Sequence, residues 1–169
     1  VGEAGAPRLF RGHWGVVDSP VQMGVVFSDG VVQFRMDFRP DDPRGRKYQP
    51  KIVSGDLRMS PGDVFGFRLH YRATGCERQT NDRQHAYPYL EFHWEANGQE
   101  PEDTFVSLPI VADGMERTVD AILIRDPIWR QATRIRRVGI WPMNDAGEFE
   151  LLRVELIPAV TAESLRQSH

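Results

Sequence analysis

Hydrophobic and polar residues alternate along several segments of the chain, which is the pattern of β-strands that bury one face. In segment 64–73 the apolar positions are Phe65, Phe67, Leu69 and Tyr71, and the basic positions between them are Arg68, His70 and Arg72. Segment 88–96 repeats the pattern, with Leu90, Phe92 and Trp94 alternating with Tyr89, Glu91 and His93. Each segment therefore predicts a strand with an apolar face towards a core and a polar, partly aromatic face away from it.

Turn sequences such as Asp29-Gly30, Asn97-Gly98 and Asp113-Gly114 separate short segments rich in Val, Ile, Phe and Tyr. We predict about ten strands, at 14–17, 21–28, 31–38, 51–59, 64–73, 88–96, 104–111, 116–124, 134–142 and 148–157. No amphipathic helix lies between them, which disfavours a parallel sheet with helical crossovers. The pattern predicts an all-β fold, an antiparallel β-sandwich, with Trp14, Trp94 and Trp129 in or at the edge of its core.

The chain has two long predicted loops and a distinct end. Segments 39–50 and 74–87 are rich in charged residues, proline or other polar residues, and loops of this length either carry function or are mobile connections. After Pro158, Thr161 is a candidate N-cap for a short helix that starts at Ala162. We therefore predict a sandwich domain over residues 1–158, followed by a linker, helix start or tail over 159–169.

Composition narrows the classes of partner. The 169 residues are 40% hydrophobic, enough for one domain with its own core. With 24 acidic and 21 basic side chains, the net charge of -3 gives no attraction to nucleic acid or to an anionic bilayer. The single cysteine, Cys76, forms no internal disulfide, which argues against a disulfide-framed secreted fold.

Nothing in the sequence has the pattern of a membrane span or of a signal peptide. The chain begins without Met, so we interpret it as a piece of a longer protein whose compartment stays open, with the cytoplasm slightly favoured.

Known catalytic patterns are absent from the sequence. It contains no glycine-rich phosphate loop, no CxxC pair and no HExxH motif, which disfavours nucleotide chemistry. His70, His93 and Glu91 form a metal site only if their strands pair in a suitable register, and solvated histidines are the commoner explanation. Acidic residues are too abundant for any two of them to indicate a glycosidase pair.

The C-terminal third carries a resemblance to a known group of domains. Ile128-Trp129-Arg130 precedes a strand, Val138-Gly139-Ile140-Trp141-Pro142, and then a second strand over 149–156. This order resembles the closing hairpin of galactose-binding-like jelly-roll modules from bacterial polysaccharide-handling proteins, and segments 57–63 and 67–73 are similar to the middle of such modules. Trp141 and Leu152 stand where the family pattern often has Asp. The apolar positions change phase between Leu151 and Val154, which predicts a β-bulge near Leu152.

The resemblance implies a jelly-roll fold and a non-catalytic carbohydrate-binding module within a larger bacterial protein of polysaccharide synthesis or modification. It also implies a structural calcium ion near the chain ends, for which Asp18, Asp29 and Glu155 are the candidate ligands. No other cofactor is expected. Two alternatives stay open: an interaction domain of the same fold that contacts a neighbouring domain, and a jelly-roll polysaccharide lyase.

Sugars present apolar ring faces and hydroxyl groups, so their sites combine flat aromatic residues with planar polar groups. The predicted polar strand faces offer this mixture, and the candidate ligand-binding residues are Arg68, His70, Arg72, Tyr89, Glu91, His93, Arg137 and Trp141, with Tyr48 and Tyr87 at the long loops as secondary candidates. These sets converge if segments 64–73, 88–96 and 134–142 share one sheet; a solvated sheet face is the competing interpretation. Arg134, Arg136 and Arg137 form a basic run with two possible roles. These residues either keep their strand exposed to solvent, or they bind an acidic sugar or a lipid-linked phosphate.

Overall fold

Strands dominate the part of the chain that the computed structural model describes, which is residues 3–10, 14–17, 23–28, 31–38, 51–55, 59–74, 89–95, 104–141 and 147–160. The strands are β1 (Glu3–Ala4), β2 (Arg8–Leu9), β3 (Trp14–Val17), β4 (Met23–Ser28), β5 (Val31–Phe38), β6 (Lys51–Ser54), β7 (Val64–Thr74), β8 (Tyr89–Glu95), β9 (Thr104–Ser107), β10 (Arg117–Ile122), β11 (Arg134–Trp141) and β12 (Gly147–Val160). A 3-10 helix covers Pro61–Asp63 and a short helix, α1, covers Pro127–Gln131. The predicted strands are all present within a few residues, except for the ends that fall outside the described ranges.

The strands form two antiparallel sheets. The seven-stranded sheet has the order β10-β7-β12-β5-β4, with β1 and β2 also paired to β12, and the five-stranded sheet has the order β3-β6-β11-β8-β9. Strands that follow one another along the chain often lie in different sheets, as β6 and β7 do and as β11 and β12 do. The predicted antiparallel β-sandwich is confirmed.

Alternation along the strands builds the core. On β7, Phe67, Leu69 and Tyr71 are at most 1% exposed, and on β11 Val138 and Ile140 are equally buried. The ring of Tyr71 stacks on that of Phe149 with centroids 5.9 Å apart, and the Tyr71 hydroxyl accepts a hydrogen bond from the amide of Val111 at 2.9 Å. Each large apolar side chain buried in this way stabilises the fold by about 1.5–3 kcal/mol.

Strand β12 contains the predicted bulge. Its pairing with β7 shifts register between Leu151 and Arg153, so that Leu151 and Val154 are both buried although they are three residues apart. Because side chains in a regular strand alternate with a period of two, only an inserted residue allows this spacing. The bulge keeps one long strand in contact with the core on both sides of the insertion.

Two features were not predicted. Strands β1 and β2 extend the seven-stranded sheet along β12. Helix α1 begins after Asp126, whose carboxylate accepts hydrogen bonds from the amides of Ile128 at 2.8 Å and Trp129 at 3.2 Å. This N-cap holds Trp129 in the core, where it is 0% exposed and its indole nitrogen donates to the carbonyl of Pro61 at 2.9 Å. The prediction of Trp129 as a core residue is confirmed.

Several predictions fall outside the described residues: the C-terminal segment 161–169, Cys76, the long loops 39–50 and 75–87, and the side chains of Trp14 and Trp94. Within the described ranges, no helix has the length and apolar character needed to cross a membrane.

Candidate functional site

Strands β8 and β11 are neighbours in the five-stranded sheet, and their register brings candidate residues together. Trp141 pairs with Tyr89, and Arg137 pairs with His93. Between these two pairs, Gly139 pairs with Glu91. Residues directly opposite each other in an antiparallel pair belong to the same face of the sheet, about 5 Å apart at Cβ. The predicted residues of these two strands therefore share one face.

Burial shows which face this is. Val138 and Ile140 of β11 are 1% and 0% exposed and belong to the core, and they pair with Phe92 and Leu90. Since side chains alternate, positions 137, 139 and 141 belong to the outer face, and the Arg137 side chain is exposed. We call the positions Tyr89, Glu91, His93, Arg137, Gly139 and Trp141 the five-stranded face.

Neighbouring strands add positions that the sequence analysis missed. Val53 of β6 pairs with Gly139, and Ser107 and Phe105 of β9 pair with Tyr89 and Glu91. Alternation within each strand could have assigned these residues to one face of their own strand. Which residues of different strands are neighbours follows only from the pairing of the strands. The five-stranded face thus continues across four strands, with Phe105 as a further aromatic position.

Segment 64–73 does not share this sheet, so the condition under which all three sets of candidate residues converge is not met. Strand β7 pairs with β10 and β12 in the seven-stranded sheet, so Arg68, His70 and Arg72 lie in the opposite layer of the sandwich. Outward residues of the two layers point away from each other across a core about 10 Å thick. A period of two assigns a residue to a face of its own strand, but it carries no information about which sheet that strand joins.

Cross-strand ion pairs engage the basic residues of β7. Arg68 donates two hydrogen bonds to the carboxylate of Asp120 on β10, at 2.8 and 3.1 Å, and this bonding raises the pKa of the Arg68 guanidinium. Arg72 donates to Glu150 of β12 at 3.1 Å. The pairs are about one-third to one-half exposed, so each contributes little stability, but each guanidinium already has an anionic partner.

His70 also has an anionic neighbour. Its Nε2 atom is hydrogen-bonded to the carboxylate of Glu155, and both side chains are largely buried. Arg153 approaches the same carboxylate at 3.8 Å. We call this outer surface of β7, β10 and β12 the seven-stranded face; its basic and acidic groups compensate one another within the protein.

These contacts bear on the metal predictions. His70 lies in a different sheet from Glu91 and His93, so these three residues form no common metal site. Among the described residues there is no cluster of three or more His, Cys, Asp or Glu suited to a metal ion. The carboxylate of Glu155 is a poor fit to calcium because Arg153 and His70 approach it. Asp18 and Asp29 lie outside the described residues, so a role for them stays a prediction.

Two hollows open on the seven-stranded sheet. One of about 230 Å³ is lined by Arg72, Ala73, Thr74, Glu148, Phe149 and Glu150, and one of about 510 Å³ by Tyr71, Pro109, Val111, Glu116, Arg117 and Thr118. The aromatic residues in them, Phe149 and Tyr71, are core residues at most 1% exposed. Their rings are therefore not available for stacking on a ligand. Tyr48 and Tyr87, the secondary candidates, lie outside the described residues.

No protein-family model and no curated protein sequence matches the chain. Solved structures do match. The carbohydrate-binding module CtCBM11 matches with a TM-score of 0.54 and 14% identity, covering 95% of this chain and 98% of the module. The family 11 module of a cellulosomal cellulase from Clostridium thermocellum matches at 0.53 and 12%, covering 94% and 98%.

A third match joins a module to an enzyme. It contains the CBM22-1 and GH10 modules of endo-1,4-β-D-xylanase 10B from Clostridium thermocellum in complex with xylohexaose, with a TM-score of 0.55 and 12% identity. The match covers 96% of this chain but only 29% of the xylanase chain. At this identity the likeness shows the fold: the chain has the β-sandwich architecture of carbohydrate-binding modules, as the resemblance in its sequence predicted.

Proposed function

We propose that this domain is a non-catalytic carbohydrate-binding module whose ligand lies on the five-stranded face. The observation that carries the proposal is the register of β8 and β11, in which Trp141 pairs with Tyr89 and Arg137 pairs with His93. With Glu91, which pairs with Gly139 between them, two aromatic positions and three polar ones occupy adjoining places on one outer surface. The mixture is the one that sugar recognition requires.

Each residue type has a defined use in such a site. Trp and Tyr offer flat apolar rings that stack on the apolar face of a sugar ring. Arg, Glu and His offer planar donors and acceptors for the hydroxyl groups at the edge of the ring. Gly139, between Arg137 and Trp141, has no side chain and is itself buried, so the candidate contacts are at the positions on either side of it.

The shape of the surface favours an oligosaccharide over a single small sugar. From Arg137 to Trp141 the face extends about 13 Å along β11, and β8 and β9 widen it by about 5 Å each. An extended surface of this kind contacts several sugar rings of a chain at once. The fold supports the same class of ligand, since carbohydrate-binding modules with little sequence identity to this chain have the same architecture.

We further propose that the module is part of a larger bacterial protein of polysaccharide synthesis or modification. By binding the glycan, the module would hold the larger protein close to that glycan. The xylanase that matches in structure combines a carbohydrate-binding module with a GH10 module in one chain. In this arrangement the module binds without turnover, because the chemistry belongs to the partner module.

Calorimetric titration with neutral hexasaccharides, including xylohexaose, tests the proposal. We expect binding in the millimolar to micromolar range, which corresponds to about -4 to -8 kcal/mol. Unchanged length of the oligosaccharides after prolonged incubation would agree with binding without turnover, whereas shorter or unsaturated products would indicate an enzyme. The Trp141→Ala variant should lose most of the affinity while its circular dichroism spectrum stays that of the wild type.

A further inference from the structure

Arg137 differs from the arginines of the opposite face. On the seven-stranded face, Arg68, Arg72 and Arg153 each lie within 4 Å of a carboxylate, at 2.8, 3.1 and 3.8 Å. The Arg137 side chain is exposed and forms no hydrogen bond or ion pair within the part of the chain that the structure describes. Its guanidinium is therefore a cation without a compensating partner there.

The register adds a second basic position beside it. Arg137 pairs with His93, so a second basic residue lies directly opposite it on the same face. On this face the acidic positions of β8 are Glu91, which pairs with Gly139, and Glu95, which pairs with Arg134.

The two faces of the sandwich thus differ in charge balance. The seven-stranded face matches Arg68, Arg72 and Arg153 with Asp120, Glu150 and Glu155. Along β8 and β11 the outer positions include Arg134, Arg137 and His93 against Glu91 and Glu95, in a protein whose net charge is -3. An excess of basic positions on the ligand face of an acidic protein is what an anionic ligand requires.

We propose, resting on the function proposed above, that the glycan recognised by this face carries an oxyanion, either the carboxylate of a uronic acid or a phosphate ester, and that Arg137 binds it. A guanidinium presents two parallel N–H donors that match two oxygens of a carboxylate or phosphate. Trp141, four residues along the same strand, belongs to the same face, so one glycan chain can stack at Trp141 and place its anionic group at Arg137.

The test compares three ligands of one length by calorimetry: cellohexaose, its form oxidised to carboxylate at carbon 6, and its form phosphorylated at carbon 6. We expect one of the two anionic forms to bind about tenfold more tightly than cellohexaose, as an added charge-assisted hydrogen bond gives. Raising the salt concentration should reduce this preference, since exposed charges are screened. The tighter of the two anionic forms identifies the oxyanion.

Matched variants separate a specific contact from general charge. Arg137→Gln should abolish the tenfold preference, so that its affinities for the anionic forms and for cellohexaose lie within about twofold of one another, and Arg137→Lys should retain part of the preference. Arg153→Gln removes the same charge from the opposite face, where Arg153 is 53% exposed, and should change nothing.

Three results would overturn the inference. Equal binding of neutral and anionic hexasaccharides by the wild type would overturn it and leave the proposed function intact. An equal loss of preference in Arg153→Gln and Arg137→Gln would reduce the effect to net charge. Failure of every hexasaccharide to bind would overturn this inference together with the proposed function.

Discussion

Trp141 on β11 lies directly opposite Tyr89 on β8 in the five-stranded sheet. The two residues are far apart in the sequence, and only the pairing of their strands makes them neighbours. The same pairing sets Arg137 opposite His93, four residues away along each strand. The site that we propose therefore depends on the topology of the sandwich and on no single sequence motif.

The opposite face provides the first prediction. Because Arg68 and Arg72 are bound to Asp120 and Glu150 on the seven-stranded face, Arg68→Gln and Arg72→Gln should leave oligosaccharide affinity unchanged. Each substitution should lower the free energy of unfolding by no more than about 1 kcal/mol, as exposed ion pairs do. Calorimetric titration of both variants checks this. A tenfold loss of affinity in either variant would indicate that the ligand binds the seven-stranded face instead.

Local sequence patterns predict most of the strands but not how these strands are grouped into sheets. Alternation at Phe67, Leu69 and Tyr71 predicted their burial, and the phase change after Leu151 predicted the bulge in β12. Membership of a sheet depends on contacts between residues far apart in sequence, so no local pattern separates β7 from β8.

Short elements escaped prediction for a different reason. Strands Glu3–Ala4 and Arg8–Leu9 are two residues long, too short to show a period. The Asp126-Pro127 pair was a usable helix-start signal, since Asp is a good N-cap and Pro suits the first helical position. A helix of five residues offered no hydrophobic periodicity to support that signal.

Two glycines offer a matched test of the packing of β7. A Cβ atom on Gly66 would lie 2.1 Å from the carbonyl oxygen of Ala121 on β10, whereas one on Gly62 would meet nothing within 4 Å. Gly66→Ala should therefore lower the free energy of unfolding by about 3 kcal/mol, because a backbone atom of the next strand must move. Gly62→Ala should stay within about 1 kcal/mol of the wild type. Urea denaturation measures both, and equal stabilities would contradict the close approach of β7 and β10.

Trp129 tests the anchoring of α1. Its side chain is 0% exposed, and its indole nitrogen donates to the Pro61 carbonyl at 2.9 Å. Trp129→Ala should cost about 3–5 kcal/mol of folding free energy through the cavity that it leaves. Trp129→Phe keeps an aromatic ring but leaves that carbonyl without its donor, so it should cost about 1–3 kcal/mol. A Phe variant as stable as the wild type would argue against the hydrogen bond as a separate contribution.

Asp113 provides a pH-dependent test. The hydrogen bond from Arg117 lowers the pKa of the Asp113 carboxyl from 3.8 to about 2. Because the folded state holds this proton less tightly than the unfolded state, the pair stabilises the fold above about pH 4, and this contribution is lost as the pH falls towards 2. The pair is exposed, so the effect on stability is small.

Carbon-detected NMR titration of the Asp113 carboxyl measures this pKa directly. In the wild type the midpoint should lie near 2, and in Arg117→Gln it should move back towards 3.8, the ordinary value. A midpoint that Arg117→Gln leaves in place would show that Arg117 is not the cause of the shift.

The measurement that tests the central claim most directly is calorimetric titration of one hexasaccharide into the wild type, Trp141→Ala and Tyr89→Ala, with Arg72→Gln as the control on the opposite face. The ligand is the tightest binder among the neutral and anionic hexasaccharides. Aromatic stacking and burial predict that each aromatic variant loses at least about tenfold in affinity while remaining folded, and that Arg72→Gln binds as the wild type does. Unchanged affinity in both aromatic variants, or a loss confined to Arg72→Gln, would contradict a ligand site on the five-stranded face.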